Sequence, residues 1–399
     1  MKILFLCNKL PYPPNEGGSM AMNMMIEGFL KAGQQVKVLA VSSTKNLFNP
    51  IAIPEDYLTK TSLENVFLDL SPRFLPAIYC FFTHKSYHVH RFISKDFEQK
   101  LVQILQDQEF DIIQVETVFL TPYLKTIAKY SKAKVFLRAH NIEHLIWKRL
   151  TENTKNPFRK LYLDHLSVQL KNYEIDHLDK YDGIVCISKI DAEYYLNLTT
   201  EPVITATFGI NPEEYPISRI KEAGPDLFFI GAMNWMPNAA GLKWFLSEVW
   251  PAVHEVLPEL RFYIAGREIP AWLKAFESNH VRLVGEVENA KNFISSRSIM
   301  IVPLHSGSGI RIKIIEGMAL GKTVISTTIG AEGIDYENGK NILIADTKDE
   351  FVEQIRKCIE EVNFIQNLGN EAHKTIIANH NANTIIKDLL SFYQKYLNN

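Results

Sequence analysis

Short runs of β-branched and aromatic residues recur along the chain, separated by longer stretches with apolar positions at helical spacing. This alternation is the pattern of parallel α/β architecture, in which strands are covered by helices. In the first half the predicted strands are residues 3–7, 36–41, 66–70, 112–115, 135–137, 184–187 and 203–205. In the second half they are residues 227–230, 261–265, 281–284, 299–302, 323–326 and 342–344. The chain closes on a helical stretch in which Ile385, Ile386, Leu389, Leu390, Tyr393 and Tyr396 share one face.

The two series read as two separate sheets, and 399 residues are enough for two α/β domains. Between them, Asn211-Pro212-Glu213-Glu214-Tyr215-Pro216 and the segment up to Gly224-Pro225 carry prolines and charges with little apolar periodicity. That composition suits a linker, with the boundary near residues 208–225. The expected division is an N-terminal Rossmann-like domain over 1–210 and a C-terminal one over 225–381. The terminal helix, about 382–399, is a candidate to pack back on the first.

Composition narrows the function. The hydrophobic and charged fractions, 46% and 22%, are ordinary for a soluble globular protein. A formal net charge of -2 gives no electrostatic reason to expect nucleic acid. Cys7, Cys80, Cys186 and Cys358 are scattered and form no CxxC pair, so they read as small hydrophobes rather than zinc ligands or disulfides. No uncharged apolar stretch reaches the roughly 18 residues needed to span a bilayer. The expectation is a cytoplasmic protein. Residues 71–93 mix Phe74, Leu75, Ile78, Tyr79, Phe81, Phe82 and Tyr87 with Arg73, Lys85 and Arg91. Such a mixture allows either packing on its own domain or peripheral contact at the inner face of a membrane.

The chemistry concentrates after the strand at 299–302. There Pro303-Leu304-His305-Ser306-Gly307-Ser308-Gly309 leads into a helix expected to begin near Ile310. The glycines allow a sharp turn and close approach of a ligand, and the helix start offers unpaired N–H groups to an anion. Arg311 and Lys313 add positive charge where it opposes the helix macrodipole, a conflict that a bound phosphate would remove. Ile312, Ile314, Ile315, Met318 and Ala319 form the apolar face, with Arg311 near its middle. Unless Arg311 precedes the regular helix and turns toward the loop, it would be buried unpaired, which is costly. Glu316 falls at the margin of that face, placed to accept hydrogen bonds from the hydroxyls of a ribose. The plain alternative is an ordinary loop, with Glu316 a surface acid paired with Lys313.

The run VPLHSGSGIRIKIIEGMALGKTVISTTIGAEGI resembles the donor-binding region of the GT-B retaining glycosyltransferases of family 4, the glycosyl transferases group 1. FIGAMNWMPNAAGLKWFLSEVWP and VRLVGEV extend the likeness. The resemblance implies an α/β fold of GT-B type, two Rossmann-like parallel-sheet domains facing across a cleft. It implies that Glu316 holds the nucleotide ribose and that Arg311 and Lys313 hold the donor diphosphate, in a site including Ser306, Gly307, Ser308 and Gly309. Ser308 stands where the family more often has a first glutamate.

In the first half, Gly17 and Gly18 precede a helical run, and the resemblance places this loop beside the donor phosphates and the acceptor. After the strand at 135–137 come Arg138-Ala139-His140-Asn141-Ile142-Glu143-His144, polar groups at a strand's carboxyl end where an α/β cleft lies. By resemblance His140 contacts the donor sugar. Asn141, Glu143 and His144 either orient the acceptor or cap the following helix. The H-N-I-E-H order is not that of a zinc motif, and no metal is expected.

The implied function is sugar transfer from a nucleotide-diphosphate donor to a hydroxyl of a glycan or lipid-linked glycan, in cell-surface polysaccharide or glycolipid assembly. No cofactor is implied, the nucleotide sugar being a substrate. The alternatives are a sugar-nucleotide epimerase or hydrolase on the same scaffold, and an inactive nucleotide-sugar-binding partner subunit. A dinucleotide dehydrogenase is disfavoured, because no G-x-G-x-x-G comes after the first strand.

Overall fold

The computed structural model describes residues 1–152, 154–217, 225–307 and 309–397. The chain divides into two compact units, residues 1–209 with 382–399, and residues 210–381.

Among the described residues the first unit is built on seven strands: β1 (Lys2–Cys7), β2 (Gln35–Ser42), β3 (Glu64–Phe67), β4 (Ile112–Glu116), β5 (Lys134–Ala139), β6 (Gly183–Cys186) and β7 (Val203–Thr205). They pair in parallel in the order β3-β2-β1-β4-β5-β6-β7. Successive side chains of β1 point to opposite faces. Leu4 and Leu6 join the cluster around Phe97, Leu101 and Ile127. Ile3, Phe5 and Cys7 join Met22, Phe29 and Tyr393 on the other side.

The strand expected at 66–70 lies slightly earlier. It is an edge strand, registered Leu39↔Glu64 through Ser42↔Phe67. Glu64 can enter it because Lys37 and Lys100 meet its carboxylate at 2.5 and 2.8 Å. Leu68 is buried just beyond the ladder.

The C-terminal helix, Ala382–Leu397, covers one face of this sheet, burying Ile385, Ile386, Leu389 and Tyr393. The Tyr393 ring lies 4.6 Å from that of Phe136, and its hydroxyl donates to Gln114 Oε1 at 2.7 Å. An aromatic pair of this kind adds roughly 0.5–1.5 kcal/mol beyond its buried area.

The second unit holds β8 (Leu227–Ile230), β9 (Phe262–Ala265), β10 (Val281–Gly285), β11 (Ile299–Val302), β12 (Thr323–Ser326) and β13 (Leu343–Ile344). All are parallel, in the order β10-β9-β8-β11-β12-β13.

Each sheet reverses its winding direction once, between β1 and β4 in the first and between β8 and β11 in the second. At such a switch point the loops leaving the two central strands part, and a crevice opens beyond their carboxyl ends. Among the described residues, no helix is long and apolar enough to cross a membrane.

Candidate functional site

In the second unit, the loop leaving β11 is held against the first helix after β8, Met236–Trp244. Gly241 of that helix packs so closely that a Cβ there would stand 2.1 Å from the Pro303 carbonyl oxygen. Gly307 and Gly309 take φ of +115° and +78°, a region unfavourable to other residues. A Cβ on Gly307 would also lie 2.9 Å from Arg311 Nη2 and 3.1 Å from the Trp235 ring. Glycine is what lets the arginine fold under the loop.

The helix begins at Ile312 rather than near Ile310, so Arg311 is its N-cap, with extended backbone. That offset resolves the conflict in the sequence pattern. Arg311 leaves the apolar face, is buried under the turn, donates from Nη1 to the Gly309 carbonyl and lies 5.3 Å over the Trp235 ring. Lys313 sits in the first turn. Its ammonium donates to the Ile230 carbonyl at 3.1 Å and to Asn238 Oδ1 at 2.9 Å, and lies 4.3 Å over the Phe229 ring. Burial, reinforced by the charge of Arg311, pulls its pKa down to about 7.

The plain pairing of Lys313 with Glu316 is not formed. Glu316 is buried, and accepts a hydrogen bond from the Tyr215 hydroxyl at 3.1 Å. Burial raises its pKa, against the Tyr215 hydrogen bond and the charge of Lys291. Lys291 lies 4.2 Å over the Tyr215 ring and 2.6 Å from Glu214. Tyr215 comes from the segment whose composition reads as a linker, yet it is buried against the site. Ser306 is half-buried, and Ser308 lies outside the described residues.

In the first unit, the helix Gly17–Lys31 starts at the exposed Gly17 and the half-buried Gly18. Glu16 is its N-cap, donating its backbone N–H to Ser19 Oγ at 3.2 Å. Lys9, just past β1, reaches Glu16 at 3.3 Å.

At the far side of this crevice, His140 comes directly after β5 and hydrogen-bonds through Nε2 to Glu116 at the end of β4. Arg138, grouped by sequence with residues facing the cleft, is wholly buried instead. Its Nη1 donates to the Ala21 carbonyl at 3.1 Å and lies 3.5 Å from Glu116. Burial would raise the Glu116 carboxyl, but Arg138 and His140 hold it below its usual range. Burial lowers the pKa of His140, with Glu116 opposing. Thr117, next to Glu116, holds a φ of +80°, a strained conformation of the kind that gathers at functional sites.

The remaining candidates separate. Asn141 Nδ2 donates to Glu143 Oε1 at 3.5 Å. Burial, then the neighbouring carboxylate of Glu174, raises the Glu143 pKa to about 8. His144 lies inside, with Nδ1 2.7 Å from Glu174 and Nε2 3.1 Å from the Tyr194 hydroxyl. The backbone N–H groups of Glu143 and His144 both donate to Glu174 at 3.3 Å, so Glu174 caps the helix Glu143–Glu152. Among the described residues, no three His, Cys, Asp or Glu side chains are grouped to hold a metal ion.

Residues 224–361 match the family model described as Glycosyl transferases group 1. The matched segment lies within the second unit. Over its whole length the chain is similar to an uncharacterized 44.6 kDa protein in the cps region of Klebsiella pneumoniae. The two are 22% identical, covering 97% of this chain and 98% of that one. Among solved structures it resembles sucrose-phosphate synthase from Thermosynechococcus elongatus, with a TM-score of 0.71 at 14% identity over 99% of each chain. It also resembles Anabaena HepE in complex with UDP and glucose, with a TM-score of 0.65 at 13% identity over 99% of each. These likenesses establish the GT-B fold.

The turn from Gly307 to Glu316 falls inside the matched segment. Sequence reading missed Tyr215, Asn238 and Trp235 there, and Lys9, Glu116 and Glu174 in the first unit. Glu116 did leave a signal, being an acid at the end of Ile-Ile-Gln-Val-Glu, a strand buried throughout. Tyr215, set among prolines and acids, left none.

Proposed function

We propose that the chain is a retaining glycosyltransferase that moves a sugar from a nucleotide-diphosphate donor to a hydroxyl of a glycan or lipid-linked glycan. One observation carries this reading. Arg311, Lys313 and the Glu316–Tyr215 pair surround one strand–helix turn at the switch point of the second unit.

The turn has the groups that a nucleoside diphosphate needs. Arg311, Lys313 and the N–H groups opening the Ile312–Ala319 helix meet the charge that builds on the departing diphosphate. A diphosphate beside Lys313 favours its charged form and offsets the cost of burying it. Glu316, oriented by Tyr215, accepts from the ribose hydroxyls. His140 contributes a polar contact to the reacting sugar. With Nε2 committed to Glu116, its Nδ1 is left to accept from a hydroxyl.

Glu316 and Glu116 are each engaged by a neighbour, so neither is assigned as a covalent nucleophile. Retention then proceeds by front-face attack on an oxocarbenium-like centre. The leaving charge is assigned to side-chain cations, with no metal required. Polysaccharide assembly accords with the cps-region relative, and a nucleotide-diphosphate donor with the UDP complex of the structural relative.

The test is transfer from a nucleotide sugar to a panel of glycan and lipid-linked acceptors, with the new linkage assigned by NMR. Retained anomeric configuration supports the reading. An inverted linkage, or stoichiometric epimer formed without acceptor, overturns it.

A further inference from the structure

Two helices of the first unit turn large apolar side chains to solvent. The Phe74–Phe82 helix exposes Phe74, Leu75 and Phe82 at 79%, 77% and 75%, and the Pro157–Ile175 helix exposes Phe158 and Leu161 at 84% and 72%. They form one surface. Phe81 meets His165 with ring centroids 4.3 Å apart, over a small buried cluster of Cys80, Tyr87, Leu163 and Leu166. Between them runs an apolar groove of about 320 Å³, lined by Phe74, Ala77, Ile78, Phe81, Phe82 and Tyr162. Contiguous apolar surface of this kind marks an interaction site.

The charges around it select the occupant. From Pro72 to Ser94 the sequence has no acid, and from Thr154 to Leu163 again none. Arg73 is paired with Asp69 at 2.7 Å, while Lys85, Lys155, Arg159 and Lys160 place exposed positive charge on the same two segments. The exposed face offers little for directional recognition. Within the Phe74–Phe82 helix the only side-chain hydroxyl is that of Tyr79, which accepts from Lys85 at 2.9 Å. At 1.5 Å per residue the helix is roughly 13 Å long, far short of a bilayer core.

We propose that this surface rests on an anionic lipid bilayer, with the phenylalanines and leucines in the headgroup–acyl boundary and the lysines and Arg159 at the lipid phosphates. The contact is peripheral and reversible. It stands independently of the transferase reading, since nothing in it involves donor or acceptor.

Co-sedimentation of the full chain with phosphatidylglycerol–phosphatidylcholine vesicles tests it, against vesicles of phosphatidylcholine alone. The wild type binds the mixed vesicles in preference, and binding weakens as salt is raised. Each basic group near an anionic surface is worth roughly fivefold in partitioning. The triple change Lys155→Glu, Arg159→Glu, Lys160→Glu should therefore reduce it on the order of a hundredfold or more. The triple change Phe74→Ser, Leu75→Ser, Phe82→Ser should abolish sedimentation, with circular dichroism unchanged because these side chains are exposed. Absence of wild-type binding to either vesicle overturns the proposal, as does undiminished binding by both variants. Self-association abolished by the serine changes, with no vesicle binding, assigns the face to a second copy of the chain and equally overturns it.

Discussion

Glu116 and His140 stand at the ends of neighbouring strands, and the glutamate carboxylate binds the Nε2 side of the imidazole. The same carboxylate is the counter-charge of the fully buried Arg138. One acid thus fixes the orientation of a candidate catalytic ring and neutralises a core arginine.

Glu116→Gln should therefore act on stability as well as rate. Leaving Arg138 buried without its counter-charge costs about 3–5 kcal/mol. His140→Ala also takes a hydrogen bond from Glu116 but leaves Arg138 its counter-charge, so it should lower kcat by about 100-fold at a smaller cost in stability than Glu116→Gln. Denaturant unfolding and initial rates on both variants separate the two roles. A Glu116→Gln protein as stable as wild type contradicts the proposed core role.

Tyr215 and Glu316 should differ in weight at the donor site. Tyr215→Phe removes one orienting hydrogen bond, worth about 1 kcal/mol, so donor affinity should fall about fivefold. Glu316→Ala removes a charged acceptor of two ribose hydroxyls, and should weaken the donor by roughly a hundredfold. Titration calorimetry gives both, and equal losses would be inconsistent with Tyr215 acting through Glu316.

Lys313 should make donor binding pH-dependent. With its pKa pulled down to about 7, much of it is neutral at pH 8, and a diphosphate brings the proton back. Binding of UDP at pH 8 should take up a fraction of a proton, measured as heats that differ between buffers of different ionisation enthalpy. Lys313→Gln should abolish the difference. Buffer-independent heats for the wild type contradict this prediction. The same depression means that the unfolded chain binds more protons between pH 7 and the ordinary lysine range. Stability from this group therefore rises with pH across that window.

Glu143 works in the opposite sense. Its pKa, raised to about 8, lets the folded state hold a proton that the unfolded state loses near the usual carboxylate value. Its contribution to stability therefore falls as pH rises from about 4.5 to 8. Glu143→Gln should flatten this slope, gaining about 1–3 kcal/mol relative to wild type on going from pH 5.5 to 8.5. Thermal melts across pH should show it, and parallel curves for the two proteins would refute it.

Most of the described strands were legible in the sequence because they are short runs buried in a parallel sheet, a local signal needing no partner to be read. The edge strand β3 shifted because its boundaries depend on Lys37 and Lys100, which meet Glu64 only in the folded chain. The cationic turn was legible because Gly307, Gly309, Arg311, Lys313 and Glu316 lie close together in the chain. Their surroundings were not. Tyr215 reaches Glu316 across 101 positions, and Lys313 reaches Asn238 across 75. The Glu116–His140 bond likewise depends on the adjacency of β4 and β5, which no local pattern encodes.

The central claim is that a nucleotide-diphosphate sugar binds at the Gly307–Glu316 turn. The most direct measurement is a thermal-shift comparison of wild type and Arg311→Ala with UDP-, GDP-, ADP- and dTDP-sugars. At least one donor should raise the wild-type midpoint by several degrees at saturation. The same donor should leave Arg311→Ala unshifted, with that variant still melting cooperatively on its own. No shift with any donor, or equal shifts in both proteins, would contradict the account.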